Sequence, residues 1–325
     1  MTAPSAEPRL YSLYGLRLRS NEALACLEPA EPGPTDLELR FRAAAAPGES
    51  MLGPSATSGE IVETDRGVQV HRDRETGSCA MAYEDGTEFL VGPGGTTVHA
   101  LTPAGSTLED TLTYFVGPVM GFILRLRGVV SLHASTVVVG GRAVCFCGVP
   151  GAGKSSAAAA FARRGHAVLT EDIAPLDEAG GGFSVRPGYP RVNLWDPSAA
   201  ALFGSTDALP RITPTWGKRY MALGELFRQE GAPLGAVYVL DGRHDRDDTV
   251  VRERPMGEAL FALASNGYVT YLLDAGMRAH EFGVLNRLVR SVPVRFVSAP
   301  DDLSRLDAFC DALLADISRL PGFER

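Results

Sequence analysis

The residues best suited to chemistry lie in one glycine-rich run, Gly148–Ser155, whose sequence GVPGAGKS matches G-x-x-x-x-G-K-S without a gap. Glycines let backbone N–H groups turn inward around phosphate oxygens, and the helix expected next adds its positive N-terminal end. Lys154 would reach the β and γ phosphates, and the Ser155 hydroxyl would hold Mg²⁺. An apolar strand precedes the run and an alanine-rich stretch follows it. The sequence therefore predicts a nucleoside triphosphate site formed by Gly148, Gly151, Ala152, Gly153, Lys154, Ser155 and Ser156.

Two apolar strands beyond this run end in carboxylates that could hold the metal ion. Glu171 and Asp172 follow the first strand, and Asp241 follows a later one. In an ordinary Walker-type ATPase, Asp241 would hold the metal and the pair would be solvated loop residues. In the other arrangement, one carboxylate of the pair binds Mg²⁺ while its neighbour accepts a proton from a substrate hydroxyl. The residues alone leave both arrangements open.

Four further side chains are candidates for the same site. His133 precedes the glycine-rich run, although a lone histidine is more often a packed or hydrogen-bonded residue than a catalytic one. Lys218 and Arg219 could clamp the γ-phosphate or the substrate, and Arg191 is a candidate of the same kind. A solvated basic turn would explain these cations equally well. All three lie in the segment 186–220, where a loop that covers the substrate is expected.

The elements that must position these residues fall into two parts, the first of which is β-rich. Over residues 1–107, apolar and charged side chains alternate at 37–42, which is the period of a half-buried strand. Asp85-Gly86 is a hairpin signal. Clusters of proline, glycine and serine at 46–59 and 92–106 predict loops. This part is expected to form a small β-rich domain.

The second part, residues 108–325, alternates strands with helices and is therefore expected to be an α/β domain. A helix is predicted over 108–127, with a break near Gly117-Pro118. The tail from 301 to 320 carries apolar residues at three- and four-residue spacing, so it is predicted to be an amphipathic helix that packs on the core. Short apolar runs between the helices supply the buried strands.

Composition limits the partners and the compartment. A chain of 325 residues corresponds to roughly two domains, and its net charge of −8 argues against a nucleic-acid partner. No basic region followed by an apolar stretch opens the chain, and the longest apolar run, 112–124, is shorter than the roughly 20 residues of a membrane helix. Five cysteines without a C-x-x-C pair favour a reducing compartment. We therefore expect a cytoplasmic protein without a membrane partner, and a homo-oligomer stays open.

Several short segments together resemble the catalytic core of the HPr kinase/phosphorylase family. The resemblance covers about 130–175 closely, and it is carried by Leu132–Ser135, the glycine-rich run, Arg164–His166 and the Glu171-Asp172 pair. It implies a P-loop kinase domain of the HPr kinase/phosphoenolpyruvate carboxykinase type, preceded by the β-rich domain. It also implies that ATP and Mg²⁺ are used.

Further segments resemble one branch of that family. These are Tyr11–Leu16, Pro187–Arg191, Lys218–Tyr220 and Pro233–Val239. The branch consists of kinase-like proteins encoded with ribosomally made peptides, including lasso peptide kinases that phosphorylate a terminal serine. The resemblance therefore implies a peptide or small protein as the phosphoryl acceptor.

The family's roles transfer to this chain position by position. Lys154 and Ser155 match the residues for phosphate and Mg²⁺. Glu171 matches the family's first aspartate, the base toward the acceptor hydroxyl, and Asp172 matches the second, which helps hold Mg²⁺. His133 matches the histidine near the phosphates. This chain departs from the family at Glu171, where one more methylene moves the carboxylate by about 1.5 Å.

The leading prediction is a kinase that moves the γ-phosphoryl group of ATP to a hydroxyl, most simply a serine of a peptide or small protein. A kinase for a small-molecule hydroxyl would use the same chemistry. A nucleotide-dependent regulator or ATPase would use Asp241 as its metal-holding acid and would have no acceptor. A binding protein would keep the nucleotide and bind its partner through the β-rich domain. The Glu171-Asp172 pair together with His133 favours phosphoryl transfer.

Overall fold

The computed structural model describes residues 9–53, 60–63, 67–73 and 75–323, and the chain divides into two compact units. The first unit comprises residues 1–128 with 271–273, and the second comprises 129–270 with 274–325. The predicted boundary lies at residue 108, whereas the first unit extends to residue 128 and so includes the two helices between these positions.

In its described part, the first unit forms a single mixed sheet and two helices. The sheet has the order β3-β1-β2-β4-β9-β8-β7-β6-β5 and is antiparallel except where β4 pairs with β2 and with β9. Its strands are Arg9–Leu13 (β1), Leu16–Ser20 (β2), Glu28–Pro29 (β3), Leu37–Ala43 (β4), Glu60–Glu63 (β5), Val68–Arg72 (β6), Cys79–Tyr83 (β7), Glu88–Val91 (β8) and Thr97–Thr102 (β9).

The alternation at 37–42 forms β4, and the hairpin signal at Asp85-Gly86 joins β7 to β8, so both predictions are confirmed. The predicted loop at 92–106 is wrong in its middle, because β9 lies there and pairs with both β4 and β8. Val98 and Ala100 are buried in this strand, and only the short turns on either side are loop. The predicted loop at 46–59 extends beyond the described residues.

Two helices follow the sheet, Leu108–Tyr114 (α1) and Met120–Leu126 (α2), and a single π-helical turn containing Pro118 joins them. The predicted break is therefore confirmed. Thr107 and Asp110 form a capping box that fixes the start of α1. Phe115 packs edge-on against Phe41 of β4, with ring centroids 6.3 Å apart. This apolar packing on the sheet explains why the helices belong to the first unit.

The second unit is a mixed α/β assembly. Its strands are Ser131–Val139 (β10), Arg142–Cys147 (β11), Val168–Thr170 (β12), Ile173–Ala179 (β13), Gly182–Val185 (β14), Arg191–Trp195 (β15), Lys218–Ala222 (β16), Ala232–His244 (β17), Val250–Arg252 (β18) and Val294–Pro300 (β19). Its helices are Lys154–Arg163 (α3), Asp196–Phe203 (α4), Met256–Ser265 (α5), Ala275–Ser291 (α6) and Leu306–Ile317 (α7). Single 3₁₀ turns lie at Thr206–Ala208, Gly224–Leu226, Thr270–Leu272 and Leu303–Arg305, and the first unit has one at Pro93–Gly95.

The central strands β11, β17 and β19 of the second unit run parallel, and β10 and β18 flank them antiparallel. Helices α3, α4 and α7 pack on one face of the sheet, together with the ribbon β15–β16, and α5 and α6 pack on the other. The predicted tail helix is α7. In parallel sheets, ligands bind beyond the carboxyl ends of the strands, and the glycine-rich loop follows β11 at that edge.

Candidate active site

The glycine-rich loop, residues 148–153, joins β11 to α3 and turns sharply at its first residue. A side chain at Gly148 would place its Cβ 2.8 Å from the Cβ of Ala152 and 2.9 Å from the carbonyl oxygen of Leu240. Only glycine fits there without moving backbone. Gly153 adopts a left-handed conformation directly before α3 begins at Lys154. The free N–H groups of the first turn of α3 are therefore presented beside the loop.

Lys154 lies inside this loop. Its Nζ donates to the carbonyl oxygens of Gly148 at 2.7 Å and Val149 at 3.2 Å, and the residue is only 7% exposed. Burial lowers the pKa of this ammonium group from its ordinary value. This places a cation among the loop carbonyls beside the N-terminus of α3, where both favour an anion.

Glu171 follows β12 and is the acid that reaches the loop's helix. Its Oε1 accepts a hydrogen bond from Ser155 Oγ at 2.7 Å, and its Oε2 accepts one from Asn193 Nδ2 at 3.1 Å. Tyr189 Oη lies 3.4 Å from the same oxygen. The residue is 4% exposed. Burial, together with the neighbouring charge of Asp172, raises the pKa of Glu171 to about 7.

Asp172 adopts φ +67°, a left-handed conformation between β12 and β13 that asparagine and aspartate tolerate better than most residues. Because of this turn, the adjacent carboxylates of Glu171 and Asp172 contact different partners. Asp172 Oδ1 lies 3.1 Å from His133 Nε2, and Oδ2 accepts from Tyr268 Oη at 2.6 Å. Burial would raise the pKa of Asp172, but the hydrogen bonds from His133 and Tyr268 outweigh it and lower this pKa to about 2.

The two carboxylates also differ in access to solvent. The side chains of Asp172 and His133 are 35% and 29% exposed, whereas Glu171 is enclosed. A molecule that approaches from solvent therefore meets Asp172 and His133 first. Glu171 is almost fully buried and is held by the groups that donate to it.

The ribbon β15–β16 places one face against Glu171. Asn193 of β15 donates to Glu171 and also to Tyr189 Oη, at 3.0 Å. Gly188 allows the chain before the ribbon to pass close to β12, because a Cβ at this position would lie 2.4 Å from Thr170 Oγ1. Residues directly opposite on the two strands share a face, so Asn193 pairs with Tyr220, and Trp195 pairs with Lys218.

The three cations predicted to bind substrate have different surroundings. Lys218 lies on the ribbon face of Asn193, with its Nζ 5.0 Å from the centre of the Trp195 ring, and its charge lowers the pKa of both carboxylates. Arg191 stacks over Tyr220, at 4.0 Å from the ring centre.

Arg219 lies on the opposite, buried face of the ribbon and is 7% exposed. It donates to Asp196 at 2.8 Å, to Asp207 at 3.1 Å and to the carbonyl oxygen of Leu209 at 2.8 Å. This geometry favours a structural role for Arg219 over the predicted role as a substrate clamp. Strand alternation explains the difference from its neighbour Lys218.

Asp241, the metal-holding acid of the ATPase alternative, forms an ion pair with Arg254. Asp241 lies where the register of β17 against β19 shifts, between Leu240 and Gly242, and its carboxylate is held by Arg254. Arg243 instead reaches the loop and donates to the carbonyl oxygen of Gly151 at 2.6 Å.

Sequence reasoning missed three residues that complete the site, namely Asn193, Tyr268 and Arg243. Asn193 lies inside the segment 186–220 that was expected to cover the substrate, so the sequence carried some indication that it belongs to the site. It carried no such indication for Tyr268 and Arg243, because each approaches the site from an element distant in sequence.

The donor set suits Mg²⁺. Proteins usually bind this ion with one or two carboxylates and substrate phosphates rather than with a closed protein cage, and Ser155 with Glu171 supplies a hydroxyl and a carboxylate at the helix start. Among the described residues, no group of three or more His, Cys, Asp or Glu side chains converges on a metal position. No helix in the described ranges is long and apolar enough to cross a membrane.

No family model matches the chain, and no curated protein matches it. Among solved structures, the chain is matched to the Hpr(Ser) kinase/phosphatase from Coxiella burnetii. The similarity covers 57% of this chain and 95% of that one, at 13% identity and a TM-score of 0.29. A similarity at this level says nothing about activity or substrate.

Proposed function

We propose that this chain is an ATP-dependent kinase that transfers the γ-phosphoryl group to a hydroxyl. The observation that carries the proposal is the 2.7 Å hydrogen bond from Ser155 Oγ to Glu171 Oε1. It joins the first turn after the glycine-rich loop to a pair of carboxylates, the second of which faces solvent beside a histidine. Phosphoryl transfer requires these parts together: a phosphate cradle, a metal position and a group that handles the acceptor's proton.

In this proposal the glycine-rich loop and Lys154 hold the β and γ phosphates. Ser155 and Glu171 hold Mg²⁺, which when bound neutralises charge on the phosphates. A cation at Ser155 would also favour the ionised form of Glu171, whose pKa burial raises. Asn193 and Tyr189 orient this carboxylate from the ribbon.

Asp172 and His133 then face the acceptor. They are the more exposed pair, and the 3.1 Å contact between them places a proton-accepting group where a hydroxyl can approach. Tyr268 holds Asp172 in this orientation. This division of roles exchanges the two that the family resemblance implies, because it is Glu171 that meets Ser155.

The acceptor is proposed to be a serine of a ribosomally made peptide or small protein, in the cytoplasm. The segments that resemble the lasso peptide kinases support it, and so does the exposed ribbon face with Trp195 and Lys218 beside the carboxylates. An ATPase that uses Asp241 is less well supported, because Asp241 is paired with Arg254.

The proposal is tested with γ-labelled ATP and a panel of serine peptides and small hydroxyl compounds. Lys154→Ala is expected to lower transfer by about 10²–10³, because the ammonium acts on phosphate. Arg163→Ala, which removes a cation from the other end of α3, is the matched control. Full activity in Lys154→Ala would disprove the assignment of the loop.

The division of roles is tested with amide variants. Glu171→Gln is expected to weaken Mg²⁺-dependent ATP binding, and Asp172→Asn to spare ATP binding while slowing transfer by about 10²–10⁴. Asp241→Asn is the matched control and is expected to change neither. If Asp172→Asn lost Mg²⁺-dependent ATP binding and Glu171→Gln kept it, Asp172 would be the metal-holding residue and Glu171 the base, as the resemblance implies.

A further inference from the structure

The two edges of the ribbon β15–β16 differ in their pairing. Residues 210–212 lie along the outer edge of β16, where the Tyr220 N–H donates to the carbonyl oxygen of Pro210 at 3.0 Å. The Ile212 N–H donates to the carbonyl oxygen of Lys218, also at 3.0 Å. Among the strands of the described residues, none pairs with β15 on its other side. The ribbon therefore ends at β15, which is its edge strand.

The same hydrogen bonds determine which backbone groups of β15 point outward. In an antiparallel pair, opposite residues either exchange both backbone hydrogen bonds or exchange none. The Tyr220 N–H and the Lys218 C=O point away from β15. Their partners, Asn193 and Trp195, therefore direct their backbone groups away from β16. The N–H and C=O of Asn193 and the N–H of Trp195 form the open edge of the ribbon, and such an edge is a template for pairing with another strand.

The open edge lies next to the carboxylates. The Asn193 side chain donates to Glu171 Oε2 at 3.1 Å, so a strand added at this edge would pass beside the acidic pair. Trp195 is 58% exposed, and the Nζ of Lys218 lies 5.0 Å from the centre of its ring. In a chain of net charge −8, this lysine offers a positive charge to an acidic residue of a partner. The open edge therefore suits an extended, acidic segment that carries a hydroxyl.

From this geometry we propose that the acceptor peptide binds as an added β-strand along the open edge, which brings its serine to the carboxylates. The inference rests on the proposed function, since it assumes a peptide acceptor. In strand addition, backbone hydrogen bonds supply affinity and alternate side chains supply specificity. Here alternate side chains of the peptide lie beside Trp195, and an acidic one meets Lys218. A small hydroxyl compound cannot form these backbone hydrogen bonds, so the open edge selects for peptides.

Single backbone N-methyl groups in the acceptor test the proposal. The probe is the serine peptide of the panel with the highest kcat/KM, and steady-state kinetics are measured with the unmodified protein. N-methylation at alternate residues of the added strand is expected to raise the KM by about tenfold or more, because it removes an N–H donor and places a methyl group against β15. The residues between them point their N–H groups away from the open edge and should tolerate the methyl group. An equal effect at neighbouring positions would overturn the proposal.

Trp195→Pro removes one donor of the open edge from the protein itself. The φ of Trp195 is −73°, which a proline ring can adopt, and its N–H takes no part in the pairing of β15 with β16. Trp195→Ala is the matched control, because it removes the indole ring but keeps the N–H. We expect the proline variant to raise the KM for the peptide by about threefold to tenfold more than the alanine variant does. Equal KM values in the two variants would contradict a hydrogen bond from this N–H to the peptide.

The inference and the proposed function fail in different ways. If the unmodified protein phosphorylated no peptide of the panel, the proposed peptide acceptor would be wrong, and the added strand with it. If the peptide were phosphorylated but the N-methyl series showed no alternation and Trp195→Pro matched Trp195→Ala, only the added strand would be wrong. The N-methyl series uses the unmodified protein, so it decides the question even where Trp195→Pro does not fold.

Discussion

Glu171 is a carboxylic acid whose surroundings disfavour its charge. It is enclosed by Ser155, Asn193 and Tyr189, and it lies next to the ionised Asp172. Burial and the charge of Asp172 raise its pKa to about 7. A buried carboxylate beside a second negative charge binds a cation strongly, because the cation offsets both the loss of solvation and the repulsion from Asp172.

The pKa of Glu171 predicts how stability depends on pH in metal-free protein. Because the folded-state pKa lies above the ordinary value of 4.5, the folded protein holds this proton longer than the unfolded chain, and stability falls as the pH rises toward 7. Glu171→Gln removes this loss. We expect the variant to gain about 1–3 kcal/mol relative to the unmodified protein between pH 5 and pH 8, measured by denaturant unfolding in EDTA.

Asp172→Asn is expected to change stability in the opposite direction, because the ionised form of Asp172 stabilises the folded protein. The folded-state pKa of Asp172 is lowered to about 2, so its contribution to stability is complete above its ordinary pKa and is lost only as the pH falls through about 2. The amide variant should therefore be destabilised at pH 5, and this loss should shrink toward pH 8 because the charge that raises the pKa of Glu171 is gone. A variant at least as stable as the unmodified protein at pH 5 would show that His133 and Tyr268 do not hold Asp172 as described.

At the scale of elements, the ribbon β15–β16 separates two adjacent cations by the alternation of its strand. Lys218 lies on the face with Trp195 and Asn193, and Arg219 lies on the buried face. The exposed face is a local concentration of positive charge in a chain of net charge −8, so it suits an acidic group of the acceptor.

We predict that Lys218→Ala raises the KM for a serine-ended peptide by about tenfold, more than the KM for ATP, and leaves the melting temperature unchanged. Amidating the C-terminal carboxylate of the peptide should mimic this variant. Steady-state kinetics with free and amidated peptides measure both effects. Loss of ATP binding in Lys218→Ala, with equal use of the two peptides, would assign this lysine to the nucleotide instead.

Arg219→Ala should behave differently from its neighbour. It leaves Asp196, Asp207 and the Leu209 carbonyl without their donor, so the expected result is a lower melting temperature measured by calorimetry. Any effect on kinetics should follow the folded fraction. A normal melting temperature with a raised KM for the peptide alone would contradict the structural role.

At the scale of the whole molecule, the division between the two units determines which fragments can fold. Helix α2 and the π-helical turn before it bury Phe115, Phe122 and Ile123 within the first unit. A fragment that begins at residue 108 carries these side chains without the sheet that covers them, and exposed apolar surface of this kind leads to aggregation.

We therefore predict that fragment 129–325 binds ATP and aggregates less than fragment 108–325. Size-exclusion chromatography and calorimetry measure the two properties. A monodisperse 108–325 fragment would show that the helices are stable apart from the first unit's sheet.

The sequence by itself determined the features that depend on local pattern. The glycine-rich loop, the acidic pair after a buried strand, the strand at 37–43 and the tail helix follow from spacing and periodicity over a few residues. The strand β9 was missed because the glycines and prolines on both sides of it predict a loop, and its alternation of buried and exposed side chains covers only a few residues.

Only the tertiary structure decided which acid meets Ser155, which face of the ribbon each cation occupies, and that Tyr268 and Arg243 belong to the site. The physical reason is that these contacts join elements far apart in the chain, as when Tyr268 of the segment after α5 donates to Asp172. No local pattern contains such a contact, because it forms only when the strands pair and the helices pack on them.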